Sequence, residues 1–133
     1  MKNNIVLIFV ILISLLPACK GGDSGPSVAV GLSECSDSDL ALEMNATMAE
    51  SGGEFTVTVT AKAICGYDGI KSAPIDVEFW WGAKEYGVTD DNGEFTVKAA
   101  TREPLPDFPM VTVKMSNSDG MMVRLKSISV SVQ

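Results

Sequence analysis

The chain has 133 residues, 46% of them hydrophobic and 20% charged, with a net charge of −7 and no histidine. After the N-terminal segment described below, a little over one hundred residues remain, which suits one small domain with its own core and no second one. The acidic balance makes such a domain a poor binder of nucleic acid and repels it from anionic lipid surfaces. No basic run, low-complexity block or internal repeat interrupts it.

Lys2 provides a positive start, and Ile5 to Leu16 then runs almost unbroken apolar. That run of about a dozen residues has the size of a signal-peptide core and falls short of the ~20 that a spanning helix needs. Pro17 breaks it before a cleavage point, and Ala18 is small, as signal cleavage requires. Leu16, Pro17, Ala18 and Cys19 together resemble the lipobox of bacterial lipoproteins, which is an apolar residue, a tolerant position, a small residue and a cysteine. The resemblance implies that residues 1–18 are a lipoprotein signal peptide. It also implies that Cys19 receives a diacylglycerol thioether and its new amino terminus a third acyl chain. Two or three chains convert marginal membrane binding into stable anchoring, at ~0.8 kcal/mol per buried CH2. The alternatives are an ordinary signal peptide with a coincidental cysteine and an uncleaved anchor helix. Lys20 stands where an Asp would retain a lipoprotein at the inner membrane, which favours the outer membrane of the cell envelope. Residues 19–27 then read as the lipidated Cys and a flexible Gly/Ser-type tether, and residues 28–133 as the domain.

With Cys19 taken by lipid, Cys35 and Cys65 remain, in a compartment that permits disulfides. A bridge between them closes a loop of about thirty residues and stabilises the fold by roughly 3–4 kcal/mol in the chain-entropy model. Two free thiols are the alternative. Zinc is disfavoured, because two sulfurs without a histidine do not complete a site.

From residue 28 the periodicity is that of strands. Val28, Val30 and Leu32 alternate in a short first strand. Leu40, Leu42, Met44, Ala46 and Met48 alternate in a second, closed by a turn at Glu50 to Gly53. Phe55, Val57, Val59, Ala61 and Ala63 share one face of a third, opposite Thr56, Thr58, Thr60 and Lys62. Such alternation puts one face on a core and one in water. Gly66 to Ser72 reads as a polar loop. Pro74 opens the next strand, where Val77, Phe79 and Trp81 face inward and Asp76, Glu78 and Trp80 outward. Glu85 to Thr89 is a short edge segment, and Asp90-Asp91-Asn92-Gly93 a turn. Phe95, Val97 and Ala99 alternate after it. Arg102 to Pro109, with three prolines, is a loop, and Val111, Val113 and Met115 form the next strand. Asn117 to Gly120 is a hairpin turn. In the last strand the apolar phase slips near Lys126 and Ser127, where a bulge would restore the inward face. The expectation is an all-β, Ig-like β-sandwich of seven or eight antiparallel strands.

Phe55 to Ala61, Ala73-Pro74-Ile75-Asp76-Val77-Glu78-Phe79, Val88-Thr89-Asp90-Asp91-Asn92-Gly93-Glu94-Phe95-Thr96-Val97 and Val111-Thr112-Val113 resemble bacterial Ig-like domains of the invasin/intimin type. The resemblance covers roughly residues 55–132 and implies an adhesion, spacer or assembly role. The Thr-Asp-x-x-Gly turn also occurs in Cna B-type and carboxypeptidase-regulatory-like sandwiches. The Cys pair, Trp80-Trp81 and the Pro-rich loop depart from the family pattern.

Three candidate sites follow. Trp80, with Glu78 and Tyr86 beside it on the outer face, would stack on a sugar or anchor a protein partner, with the Pro-rich loop at hand. Asp90, Asp91, Asn92 and Glu94 offer oxygens to Ca2+, although Asp90 and Asn92 also shape turns through their own side chains. Asp76 and Glu78 share a face, but paired acids need a pocket and none is implied. No serine sits in a nucleophile-elbow context. The reading is a non-catalytic module without a cofactor. Its partners are the membrane, through the lipid anchor, and an unidentified protein or glycan.

Overall fold

A computed structural model of the chain describes residues 29–133. The expected signal peptide, Cys19, the expected tether and Val28 lie outside the described residues. The described elements are β1 (Val30–Gly31), a 3-10 turn (Leu32–Glu34), β2 (Leu40–Ser51), β3 (Glu54–Cys65), β4 (Asp68–Lys71) and β5 (Pro74–Phe79). They continue with β6 (Lys84–Val88), β7 (Glu94–Thr101), β8 (Met110–Ser116) and β9 (Met122–Ser129).

The long alternation in β2 and β3 builds one hairpin, in register from Leu40 opposite Cys65 to Ser51 opposite Glu54. Two glycines join them with φ of 60° and 81°, the paired positive values that let a two-residue turn match strand twist. The other edge of β3 carries β7 along most of its length and β4 at its end. β4 in turn pairs with β1. The second sheet runs β6-β5-β8-β9. With β2-β3-β7 on one sheet and β6-β5-β8-β9 on the other, this is the strand order of an immunoglobulin-like sandwich.

The inward residues of the central strands form the core. Val57, Val59, Ala61 and Ala63 of β3 meet Ile75, Val77 and Phe79 of β5 and Val111, Val113 and Met115 of β8, with Leu42 and Met48 of β2 closing one side. Met44, Phe55, Phe95 and Val97, on the apolar faces of their strands, and Ile128 of β9 are half-buried because they lie on flanking strands or near a strand end. Gly87 has a packing reason. A Cβ there would collide with the ring of Phe95, which crosses from β7.

The architecture departs from expectation in three places. Among the described residues nine strands are present, and β1 pairs with β4 in parallel. The first strand also stops at Gly31, so Leu32 enters the 3-10 turn. The segment expected as a polar loop holds β4, whose Ile70 is fully buried. One apolar residue between two turns leaves no period to read. The bulge lies at Val123, between Met115 opposite Arg124 and Ser116 opposite Met122, not at Lys126 and Ser127. Beyond it Arg124 and Lys126 stand opposite the inward Met115 and Val113, while Leu125 turns out and is 51% exposed. An edge strand tolerates this, because long cationic side chains reach solvent past its rim. Arg124 uses that position to bind the other sheet's end. Its guanidinium donates to the carbonyls of Leu40 (3.1 Å) and Asp37 (2.6 Å) and pairs with the Asp37 carboxylate at 3.0 Å.

Two cross-links close the sandwich. Cys35 and Cys65 form a disulfide with Cα atoms 5.7 Å apart, joining the segment before β2 to the end of β3. Thr89, 3% exposed, donates its hydroxyl to the Ile70 carbonyl and accepts the Ala73 N–H at 2.9 Å. Its backbone bonds Ser72 and Ala73 as well.

The strand directions sort the loops. β1 is parallel to β4, and β4 runs back from the end of β3, so the chain enters at the end where β3 finishes. The disulfide and the turns at 90–93 and 117–120 gather at this entry end. β5 and β7 both run away from it. The Gly52-Gly53 turn, residues 80–83 and the loop 102–109 therefore meet at the far end.

Replacing Cys35 and Cys65 together by Ser is expected to lower stability by roughly 3–4 kcal/mol. At about 4–8 °C per kcal/mol this is a fall in Tm of some 12–30 °C by calorimetry. Thr89→Val removes the hydroxyl while keeping shape and leaves a buried carbonyl and N–H unpaired. Chemical denaturation should show a loss of about 1–3 kcal/mol, largely restored in Thr89→Ser.

Candidate functional site

The tryptophans are positioned by the end of β5. Alternation predicts Trp81 inside and Trp80 outside, but that rule holds only while the backbone stays extended. β5 ends at Phe79. Trp80, Trp81 and Gly82 form a turn, with the Gly82 N–H donating to the Phe79 carbonyl and the Phe79 N–H to the Ala83 carbonyl, each at 2.9 Å. Gly82 has φ 88°, the left-handed conformation that glycine adopts without strain. Both indoles are therefore half-buried and pack on the rim of the core. Trp81 stacks on Phe79 with centroids 4.6 Å apart, and Trp80 meets Trp81 at 4.5 Å with planes 81° apart. The Trp80 Nε1 is buried and, among the described residues, has no acceptor.

Glu78 and Tyr86 do not join Trp80. Glu78 lies on the outer face of the second sheet, 3.6 Å from Lys84 Nζ and 4.0 Å from Lys114 Nζ. These are exposed pairs of small energetic worth. Tyr86 is 66% exposed and sits opposite Asp76 in the β5–β6 ladder. Asp76 is four positions before Trp80, or roughly 13 Å along extended chain.

What does meet the tryptophans is the Pro-rich loop. Glu103, Pro104 and Pro106 line a cleft of about 410 Å3 with Trp80 and Trp81. The loop is anchored at both ends. The Glu103 N–H donates to Thr101 Oγ1 at 3.1 Å, and the carbonyl of buried Pro109 accepts from Val130 N–H at 2.9 Å. Between these anchors Leu105 is 40% and Phe108 77% exposed. The far end thus presents two indoles, proline rings and two further apolar side chains together. A larger hollow of about 600 Å3 lies at the entry end, walled in part by Leu32, Cys35, Leu40, Lys71 and Val123, and sequence periodicity gives no sign of it.

The Asp90 turn uses its oxygens internally. Asp90 Oδ1 accepts the N–H groups of Asn92 (2.8 Å) and Glu94 (2.9 Å), and the Asp90 carbonyl accepts Gly93 N–H at 3.0 Å. Asp91 and Asn92 are exposed beside it. Among the described residues no three His, Cys, Asp or Glu side chains converge as a metal site. Gly93 fits against the Ala63 carbonyl and Gly69, leaving no space for a side chain.

No protein-family model matches this chain, and no curated protein is significantly similar to it.

Asp90→Ala removes an acceptor shared by two exposed N–H groups and is expected to cost about 1 kcal/mol of unfolding free energy. Millimolar calcium should leave the melting temperature of the unmodified chain unchanged. A calcium-dependent rise that vanishes in Asp90→Ala would assign the turn to metal instead.

Proposed function

We propose that this chain is a lipid-anchored Ig-like domain of the bacterial cell envelope, held at the outer membrane through Cys19. It acts by contact, without catalysis, in adhesion, spacing or protein–protein assembly. The observation that carries the reading is the polarity of the domain. The polypeptide arrives from the proposed anchor at one end, where Tyr67, Met121 and Met122 are exposed singly, and the surface that groups two tryptophans with prolines, Leu105 and Phe108 lies at the other. A domain moored through its entry end would hold Trp80, Trp81, Leu105 and Phe108 away from the bilayer, where a partner can reach them. Large apolar side chains grouped at a loop end are the kind of surface that serves contact. The invasin/intimin-type relationship belongs to the same reading, supported by the Thr89 to Gly93 turn between β6 and β7.

The non-catalytic element rests on the acids. Asp76 and Glu78 stand on an open sheet face, and Glu78 is partnered by two lysines. A second reading, a carbohydrate- or small-ligand-binding lipoprotein, is favoured by the cleft itself, since indole and proline rings together offer flat apolar walls to a sugar face.

Cys19→Ala, expressed with its export segment, is expected to leave the membrane fraction while keeping a β-type circular dichroism spectrum. Continued membrane association of that variant would overturn the anchor.

A further inference from the structure

The cleft of Trp80, Trp81, Glu103, Pro104 and Pro106 has a chemistry more specific than an apolar contact. Its two indoles stand 81° apart, so they wall two sides of a corner. The face of an indole carries negative charge from its quadrupole and attracts cations. Glu103 is the one ionisable residue in the lining. Among the described residues no lysine or arginine pairs with its carboxylate, and the neighbouring Arg102 turns to Glu54 at 3.3 Å instead. Glu103 also has a fixed place, because its N–H is held by Thr101.

A neutral sugar would need donors and acceptors around its ring. This lining supplies one carboxylate and no amide, hydroxyl or guanidinium side chain, and the Trp80 N–H is buried. A cation needs what is present, which is π faces and one unpartnered negative charge. The whole chain, at net −7, adds an attractive field for a basic partner.

We infer that the Trp80–Trp81–Glu103 cleft receives a cationic side chain, an arginine above a lysine, from a basic segment of a partner protein. Arginine is favoured because its planar guanidinium stacks on indole and meets a carboxylate with two parallel bonds. The inference rests on the far end being the contact surface, and it names the partner's chemistry.

The chain's two tryptophans both line this cleft, so intrinsic tryptophan fluorescence reports on it alone. The full purified chain is titrated with an N-acetylated hexa-arginine amide and, separately, with chitohexaose as a neutral glycan. The expected result is a saturable emission change with hexa-arginine that weakens as salt rises. In Glu103→Gln the midpoint should rise roughly tenfold, and in Asp91→Asn, which removes the same charge at the entry end, it should stay within about twofold. Circular dichroism confirms that both variants fold. Equal effects of the two variants would mean general attraction to an acidic protein and would overturn the inference, as would a flat response to hexa-arginine. A chitohexaose response with hexa-arginine silent would overturn it in favour of the glycan reading. The anchor is judged by the fractionation of Cys19→Ala, so either proposal can fail alone.

Discussion

Val57, Val59, Ala61 and Ala63 lie on one face of β3 and are fully buried, and the first sheet is built around holding them there. A slip of one residue would send all four to solvent and bring Thr58, Thr60 and Lys62 inside. β2, β7 and β4 all pair with this strand, so its register sets theirs. The small side chains at 61 and 63 matter as much as the large ones. Here the Asp90–Gly93 turn closes on β3, with the Ala63 N–H donating to the Gly93 carbonyl at 2.8 Å. Gly93 in turn abuts Gly69 of β4. The β3–β4 hairpin and a turn about twenty-five residues further on converge at that point because none of the three segments carries a bulky side chain there.

That convergence fixes the ends of the molecule. Once β4 is held against β3 and the Thr89 hydroxyl ties Ile70 to Ala73, β5 has a defined start and runs the length of the sandwich to Phe79. The disulfide and the Arg124 contacts draw the segment before β2 toward the same end. The loops that emerge opposite are held by hydrogen bonds at their roots, without a disulfide or a buried hydroxyl of this kind. The polarity of the domain is thus a consequence of where its cross-links are placed.

Much of this was legible in the sequence, and the failures have physical causes. Period-two patterns in β2, β3, β5, β7 and β8 located those strands and their inward faces. The two cysteines left beside the proposed lipid cysteine form the expected bridge. The parity of Trp80 and Trp81 misled because parity describes extended chain, and the turn begins one residue before the first of them. The phase slip of the last strand was visible but misplaced, since an edge strand is not obliged to keep cations out and leucines in. The structural role of Thr89 could not be read from its neighbours, because its partners Ile70 and Ala73 belong to a different segment. Trp80 and the Pro-rich loop are expected together as one contact surface, but nothing in the sequence pattern places them side by side. Their meeting depends on β5 and β7 both running toward the far end, a property of topology that local pattern does not carry.

The distribution of charge explains why an end, and not a face, is the surface to watch. Across the first sheet Thr60 meets Thr96 at 3.0 Å and Lys62 faces Glu94 at 3.7 Å. Across the second, Glu78 lies between Lys84 and Lys114, and Thr112 meets Ser127 at 2.7 Å. Each outer face thus answers many of its own polar groups by cross-strand pairing, which leaves little for a partner to satisfy. The polar groups of the entry end are similarly engaged, by Arg124 with Asp37 and by Asp90 and Asn117 with their own turns, although Tyr67, Met121 and Met122 are exposed there. At the far end the balance reverses. Phe108 lies open to solvent, and among the described residues the Trp80 N–H has no acceptor and Glu103 no cation. Unmet demands of three kinds, apolar, polar and ionic, converge within one loop pair. A partner docking there would meet the apolar and ionic demands, whereas docking on either sheet face would first have to break pairs already made.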